Sequence, residues 1–365
     1  MKDGEPQAGG KLKIRKLGIE TRFEMLRFSS AVLIAILLSF IIILLVSKEP
    51  LSALRNLFLG GLSSWRRFGN VIELTVTLTF TGLAVSIMFS ANQFNMGAEG
   101  SFYAAGAVAA MVALAIPLPF FIHPLTAIVL GGLVGSVVCV IPALLKQKWG
   151  ASELVSSLML NYVFFYITRY FCNTVFKDPD SGYVSTYLLP ITAKLPRILA
   201  GTRVHAGIFI VIVVVILAVV FMRRTTWGYA LIQTGRNPVF ASYSGINTPF
   251  VLIYSQIIGG FVAGVGGSVE VLGMYDRFQW QNMPGYGFDG VIVAILAKNN
   301  PKYVPIAAFL LSYIRIGADR MSSATDVPSE MISIIQGFII MLVAAQAFLS
   351  HRRQKMLMKE VRTNG

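Results

Sequence analysis

The sequence predicts an all-α, polytopic membrane protein with about ten transmembrane helices. The 365-residue chain is 55% hydrophobic but only 13% charged, and its mean hydropathy is +0.68. Ordinary soluble domains carry about 25% charged residues. The apolar residues are gathered into blocks close to the roughly 20 helical residues that a bilayer requires, and basic residues flank these blocks. Length, composition and charge placement therefore agree on the fold class.

Ten apolar segments follow a polar N-terminal tail. The first segment is longer than the apolar core of a cleavable signal, and no small-residue cleavage site follows it. The eighth is too short to span a bilayer alone, so we expect it to be bent or extended. The segments lie near residues 29–46, 71–90, 96–116, 125–145, 154–176, 206–222, 249–273, 288–297, 303–317 and 331–349.

The placement of Lys and Arg gives an expected orientation. With both termini in the cytoplasm, inside basic residues outnumber outside ones by about two to one. This arrangement divides the chain into a basic cytoplasmic tail at 1–28, a transmembrane domain at 29–349 and a second basic tail at 350–365. It places the long loop 177–205 outside and the segment 223–248 inside. The net charge of +14 therefore indicates orientation in lipid rather than nucleic-acid binding.

No metal site and no cofactor are predicted for this chain. Its two cysteines, Cys139 and Cys172, lie in apolar segments and indicate neither a disulfide framework nor a metal site. The histidines His123, His205 and His351 are isolated in loops or in the tail, and no metal-ligand spacing links them.

A polar interruption, ANQFNMGAEGS, lies between the second and third apolar segments. A carboxylate at membrane depth costs several kcal/mol unless it is paired, protonated or in a wet cavity, and irregular backbone is tolerated there only inside protein or beside water. Transporters build substrate sites from such interruptions, whereas a short cytoplasmic turn would also fit the pattern. The predicted pathway residues in this stretch are Asn92, Gln93, Phe94, Asn95 and Glu99.

Three further polar residues extend the predicted pathway. Asn161 lies in the middle of the fifth segment, Glu270 lies in the seventh, and Asp289 begins the eighth. Each has an alternative role: the asparagine in a hydrogen bond between helices, and the acidic residues at a membrane interface. In an ion-coupled secondary transporter, these acidic residues, together with Glu73 and Glu99, would instead bind protons or sodium.

The cytoplasmic stretch RRTTWGYALIQTGRNPVFASYSGIN predicts two short helices. Gly235 is expected to end the first as a left-handed cap. Asn237 and Pro238 form an N-cap and first turn for the second helix, which Gly245 closes.

The second short helix, residues 238–244, carries an apolar face. Val239, Phe240 and Tyr243 share that face, and Arg236 lies beside it. This pattern favours either docking of a soluble partner or contact with the lipid surface.

Four blocks of the sequence resemble the permease subunits of ATP-binding cassette importers that serve simple sugars, branched-chain amino acids and nucleosides. They are PLSALRNLFLGGLSS with TLTFTGLAVSIMFSANQFNMGAEG, SELVSSLMLNY, TTWGYALIQTGRNPVFASYSGI and GYGFDGVIVAILAKNNP, and they follow family order over about residues 50–340. The GAEG form and the MLNY stretch are most similar to the nucleoside branch that depends on basic membrane lipoproteins. At Met96, Ser101 and Gln233 the sequence departs from the residues usual in this family. These departures bear on the substrate more than on the fold.

The resemblance implies a type II-like importer permease fold with broken helices, in a bacterial plasma membrane. It also implies a second permease, identical or homologous, an extracytoplasmic substrate-binding lipoprotein, and two ATPase subunits. The chain has no GxxxxGK[ST] sequence and should not hydrolyse ATP itself. A sugar or branched-chain amino-acid permease, an ion-coupled transporter and a non-transporting assembly subunit remain alternatives. The ATPase-coupling residues would be Gly235, Arg236, Asn237, Pro238, Phe240, Tyr243 and Gly245.

Overall fold

A computed structural model of the chain describes residues 40–41, 44, 48–328 and 337. The chain divides into two compact units, one formed by residues 1–58 with 317–365 and the other by residues 59–316. The predicted tails 1–28 and 350–365, and most of the predicted spans 29–46 and 331–349, lie outside the described residues.

Helices dominate the described part of the chain, as predicted. Between residues 48 and 328 the only β-pairing is in two isolated bridges, Lys177 with Thr186 and Arg197 with His205. The α-helices in this range are α1 Pro50–Leu59, α2 Trp65–Ser90, α3 Ala98–Ala115, α4 Ile122–Trp149, α5 Glu153–Thr174, α6 Gly207–Arg224, α7 Thr226–Arg236, α8 Pro238–Tyr243, α9 Thr248–Met274, α10 Tyr286–Leu296 and α11 Val304–Ala324.

Among the described residues, five helices are long and apolar enough to cross a bilayer, namely α2, α3, α4, α6 and α9. α5 and α11 have 22 and 21 residues but are more polar, and α10 has only 11 residues, which agrees with the short eighth segment. The predicted number of about ten spans is therefore not confirmed. The multi-pass, all-helical architecture is confirmed.

The smaller unit packs α1 against the C-terminal part of α11. A Cβ atom on Gly317 would lie 2.1 Å from the carbonyl oxygen of Leu57, so the two backbones meet directly. α1 is an amphipathic helix that the apolar-block analysis did not identify, because only one of its faces is buried. The buried residues of this unit are Ala53, Leu57, Ala318, Met321 and Val327.

α9 lies at the centre of the larger unit, against α4, α3 and α2. Its glycines allow close approach: a Cβ atom on Gly135 of α4 would lie 2.4 Å from the carbonyl oxygen of Gly260 and 2.9 Å from the Cα atom of Gly264. Small residues at helix contacts are the usual means of close packing within membranes. The glycines of α9 therefore serve helix packing.

The loop 177–205, which was predicted to be external, lies against the connection between α9 and α10. The backbone N–H groups of Thr186 and Leu189 donate to the carbonyl oxygens of Phe278 and Asp276, at 3.1 and 2.9 Å. The loop 177–205 is thereby tied to the connection between α9 and α10.

We expect Gly135→Val to lower the apparent melting temperature of the detergent-solubilised protein, because a side chain there overlaps the α9 backbone. Overpacking of this kind costs about 1–3 kcal/mol. Gly182→Val is the matched control, since a Cβ atom on Gly182 meets no atom within 4 Å. Equal melting temperatures for the two variants in a fluorescence-detected thermal assay would contradict the close helix contact.

Candidate functional site

A break in the backbone separates α2 from α3, at the polar interruption singled out in the sequence. α2 ends at Ser90 and α3 begins at Ala98, and the residues between them form turns and irregular chain. Asn92 has a φ of 57°, a left-handed conformation in which asparagine is enriched. Gln93 is buried in the break, whereas Phe94 is exposed.

Asn95 is fully buried and holds the break against two helices. Its side-chain amide donates to the carbonyl oxygen of Cys139 on α4 at 3.0 Å and to Oε1 of Gln256 on α9 at 2.8 Å. Its Oδ1 atom accepts the N–H of Gly97 at 2.7 Å. The amide group of Asn95 is therefore committed to fixing the irregular backbone.

Asn161 links α5 to residues before and after the start of α3. Its amide donates to the carbonyl oxygen of Met96 at 2.9 Å, and its Oδ1 accepts the N–H of Gly100 at 3.0 Å. One helical turn earlier, the hydroxyl of Ser157 accepts the N–H of Met96 at 3.0 Å. Asn161 thus forms the interhelical hydrogen bonds that the sequence analysis kept as its alternative role.

Glu99 links the break to α10. It is fully buried, and its carboxylate accepts the N–H groups of Gly285 and Gly287 at 2.7 and 2.6 Å. These N–H groups lie at the start of α10, where helical N–H groups have no partner within the helix and where negative charge is favourable. Because α10 is short and begins inside the unit, the carboxylate stabilises the buried end of a broken helix.

Gln93 and its neighbours form a polar contact at the other edge of the break. The ammonium group of Lys146 donates to Oε1 of Gln93 at 3.1 Å and pairs with Glu153 at 2.9 Å. The last turn of α4 and the first turn of α5 are thereby joined to the break.

The remaining predicted pathway residues, Asp289 and Glu270, have other partners. Asp289 forms an ion pair with Arg315. Glu270 accepts the hydroxyl of Thr77 and contacts the carboxyl group of Glu73, and one of its oxygens has no partner among the described residues. Glu270 lies further along α9 than Gln256, the residue that binds Asn95. At a rise of 1.5 Å per residue, the two are about 21 Å apart. The structure thus gathers Asn95, Glu99 and Asn161 around the break, and a direct part in substrate passage remains a prediction for all of these residues.

An open cavity of about 610 Å³ lies between the loop 177–205 and the connection from α9 to α10. We call it the outer cavity. Aromatic rings and uncharged amide side chains form much of its lining, and no acidic or basic residue lines it. The lining residues with rings or amides are Tyr183, Tyr275, Gln279, Trp280, Gln281, Asn282 and Tyr286.

The outer cavity was not predicted from the sequence. The signal available was the stretch MYDRFQWQNMPGYG, in which aromatic and amide residues alternate between two apolar segments. The pattern alone did not show that this segment packs against α3. The ring of Trp280 stacks on Phe102 of α3 at 5.7 Å, and the Tyr103 hydroxyl donates to the carbonyl oxygen of Trp280 at 2.9 Å.

Ion pairs brace the two loops beside the outer cavity. Lys194 pairs with Asp276 at 2.5 Å, and Arg277 pairs with Asp178. The hydrogen bond from Lys194 holds the pKa of the Asp276 carboxyl below its ordinary value, which favours the charged form of that carboxyl.

The two short helices predicted in the segment 223–248 are present as α7 and α8. Asn237 caps α8, with its Oδ1 accepting the N–H of Phe240 at 3.0 Å, and Pro238 occupies the first turn. Gly245 follows α8 with a φ of 81°. These local predictions are confirmed, although α8 ends at Tyr243 rather than at residue 244.

The predicted role of Gly235 as a left-handed cap is wrong. α7 continues through Gly235 to Arg236 and ends at Asn237 in an extended conformation. A Cβ atom on Gly235 would lie 2.0 Å from the carbonyl oxygen of Ser90. The glycine is therefore required for close contact between α7 and the end of α2.

α8 presents the predicted apolar face. Val239, Phe240 and Tyr243 are 62%, 59% and 88% exposed. A groove of about 530 Å³ adjoins this face, with Phe240 at its edge and Trp227 and Tyr254 among the aromatic residues that line it. We call α7, α8 and this groove the coupling surface.

Comparison with known proteins assigns the chain to a family. Residues 68–344 match the family described as branched-chain amino acid transport system / permease component. Nucleoside ABC transporter permease protein NupB of Lactococcus lactis subsp. cremoris (strain MG1363) is 26% identical, over 87% of this chain and 89% of that protein. Guanosine ABC transporter permease protein NupP of Bacillus subtilis (strain 168) is 29% identical, over 76% and 80%. Glucose ABC transporter permease protein TsgB13 of Haloferax volcanii is 27% identical, over 88% and 87%.

The family match covers most of the chain, and it includes the break, α10 and the coupling surface. Together with the several apolar helices, it establishes a multi-pass membrane protein with a transport role. The chain belongs to the permease component family of branched-chain amino acid transport systems, a family of ABC importer permeases.

Proposed function

We propose that this permease is the membrane subunit of an ATP-driven importer that carries nucleosides. The observation that carries the ATP-driven part is the coupling surface, where α8 exposes an apolar face on a firmly capped helix. The substrate follows from similarity to permeases named for nucleosides and guanosine. A related protein named for glucose keeps sugars as the second candidate.

The coupling surface is in contact with the break. Gly235 lies against the carbonyl oxygen of Ser90, and the hydroxyl of Ser90 donates to the carbonyl oxygen of Asn299 at 3.2 Å, just beyond α10. A displacement of α7 therefore acts on the end of α2, the break and α10 through direct packing. ATPase subunits that bind α8 differently in their nucleotide states would shift the permease between inward-open and outward-open conformations.

The proposed assembly contains two permease subunits, two ATPase subunits that bind and hydrolyse ATP, and an extracytoplasmic substrate-binding lipoprotein. In this arrangement the coupling surface and both termini face the cytoplasm of a bacterium, and the outer cavity faces the opposite side. The chain itself supplies the pathway and performs no catalysis.

An ion-coupled secondary transporter is the rival mechanism. The buried contact between Glu73 and Glu270 favours it, because paired carboxyl groups within membrane helices are common in proton relays. The carboxylate of Glu99 is less suited to that role, since two backbone N–H groups already occupy it.

Reconstitution decides between these mechanisms and substrates. We expect proteoliposomes containing the complete complex to take up guanosine and uridine only when ATP is present on the side of the membrane that carries the ATPase subunits. We expect them to take up glucose or leucine much more slowly. Uptake driven by a proton or sodium gradient in vesicles containing this chain alone would support the rival. Uptake of glucose or leucine in place of nucleosides would contradict the proposed substrate.

We expect the double substitution Phe240→Asp and Tyr243→Asp to abolish co-purification of the ATPase subunits. Exposed aromatic anchors at interfaces contribute about 2 kcal/mol or more each, and a buried charge adds a desolvation penalty. Tyr187→Asp, on the loop 177–205, is the matched control because Tyr187 is also exposed. Normal ATPase binding by the double variant would rule out docking at α8.

We expect Glu99→Gln to slow nucleoside uptake strongly while leaving ATPase association intact. A glutamine has one acceptor oxygen, so one N–H at the start of α10 would face an amide N–H and lose its partner, at a cost of about 1–3 kcal/mol. Asp180→Asn is the control, because Asp180 is an exposed acidic residue of the outer loop. Wild-type uptake rates in the Glu99 variant would show that the contact with α10 is dispensable for transport.

A further inference from the structure

The outer cavity has the size of a small-molecule site. Its volume of about 610 Å³ falls within the range of roughly 300–1,000 Å³ that is usual for ligand pockets. Most of its lining comes from one segment, residues 275–286, which runs from the end of α9 to the start of α10. A molecule in this cavity would therefore contact the segment that Glu99 holds.

The electrostatics of the outer cavity favour an uncharged solute. None of its lining residues is acidic or basic. The acidic and basic residues next to it in sequence, Asp276 and Arg277, are paired with Lys194 and Asp178 in the loops. An amino acid is a zwitterion and would lose hydration for both charged groups without gaining a counter-charge. Nucleosides and sugars carry no such penalty.

The aromatic residues favour a planar solute over a sugar. Trp280 is fixed in place, because its ring stacks on Phe102 at an interplanar angle of 18° and meets Tyr275 edge-on at 5.6 Å. Tyr286 also packs edge-on against Phe102 at 5.6 Å. The rings of Trp280 and Tyr286 are therefore held by contact with Phe102 of α3 as well as by contacts within the segment 275–286. A rigid aromatic wall of this kind stacks on any nucleobase at little entropic cost.

Two side-chain amides in the outer cavity are available for hydrogen bonds. Gln279 and Asn282 are exposed and have no hydrogen-bond partner in the part of the chain that the structure describes. Gln281 differs, because its amide donates to the carbonyl oxygen of Val184 at 2.8 Å and belongs to the scaffold. An amide offers a donor beside an acceptor, which matches the alternating donor and acceptor edge of a nucleobase.

We propose that the outer cavity binds the base of the nucleoside during import, with Tyr275, Trp280 and Tyr286 as the stacking wall and Gln279 and Asn282 reading the base edge. This assignment rests on the proposed function. It places base recognition on the segment whose far end, at Gly285 and Gly287, is held by Glu99. Occupancy of the cavity and the position of α10 are then linked through a few residues.

Cysteine labelling tests the site directly in the complete transport complex. Both natural cysteines, Cys139 and Cys172, are buried, so an introduced cysteine is the reactive one in this chain. We expect a membrane-impermeant maleimide to label Asn282→Cys, and saturating guanosine to slow that labelling several-fold. Leucine should give no protection. Tyr187→Cys, exposed on the same side but outside the cavity, is the matched control and should be labelled equally with and without guanosine.

Transport kinetics supply the second measurement. We expect Gln279→Leu and Asn282→Leu each to raise the KM for guanosine about three- to tenfold, the effect of one neutral hydrogen bond, with ATPase association unchanged. Tyr275→Phe should keep wild-type KM because it retains the ring, whereas Tyr275→Leu should raise KM about tenfold.

The outcomes separate this site from the proposed function. A wild-type complex that imports no nucleoside overturns the proposed function and the site with it. A complex that imports guanosine while guanosine leaves the labelling of Asn282→Cys unchanged, or while the amide variants keep wild-type KM, overturns the site alone. Protection by glucose but not by guanosine would overturn base recognition.

Discussion

The hydrogen bonds from Gly285 and Gly287 to the carboxylate of Glu99 are the constraint around which the larger unit is arranged. Glu99 itself lies in the first turn of α3, so one carboxylate serves the N-terminal ends of two helices. Without it, α10 would begin in the interior with unpartnered N–H groups, which is costly. The carboxylate therefore explains how a short helix can start inside the unit.

Glycine contacts give this arrangement its second constraint. Gly287 lies so close to the backbone of Glu99 that a Cβ atom would be 2.3 Å from the Glu99 nitrogen. Gly235 meets the end of α2 in the same way, and Gly135 meets α9. The coupling surface, the break and α10 are thus joined backbone to backbone, where side-chain rearrangement cannot absorb a displacement. Such contacts transmit movement more directly than a layer of flexible side chains would.

The sequence predicted the features that depend on local pattern. Apolar blocks located the helices, and Asn237, Pro238 and Gly245 located α8, because caps and turns depend on neighbouring residues. Gly235 was misinterpreted because its reason is a distant contact with α2. The outer cavity was missed for a similar reason, since its walls form only when the 275–286 segment folds against α3. The substrate-passage roles of Asn95, Glu99 and Asn161 remain predictions.

The uncharged lining of the outer cavity has a consequence for bioenergetics. A neutral solute held by aromatic rings and amides moves no net charge across the bilayer, whereas each elementary charge would exchange about 2.3 kcal/mol per 100 mV with the membrane potential. If the proposed nucleoside is the solute, its import would transfer no charge with it. The rate would then be indifferent to the voltage of the cell, and a depolarised cell with adequate nucleotide would scavenge its solute as well as an energised one.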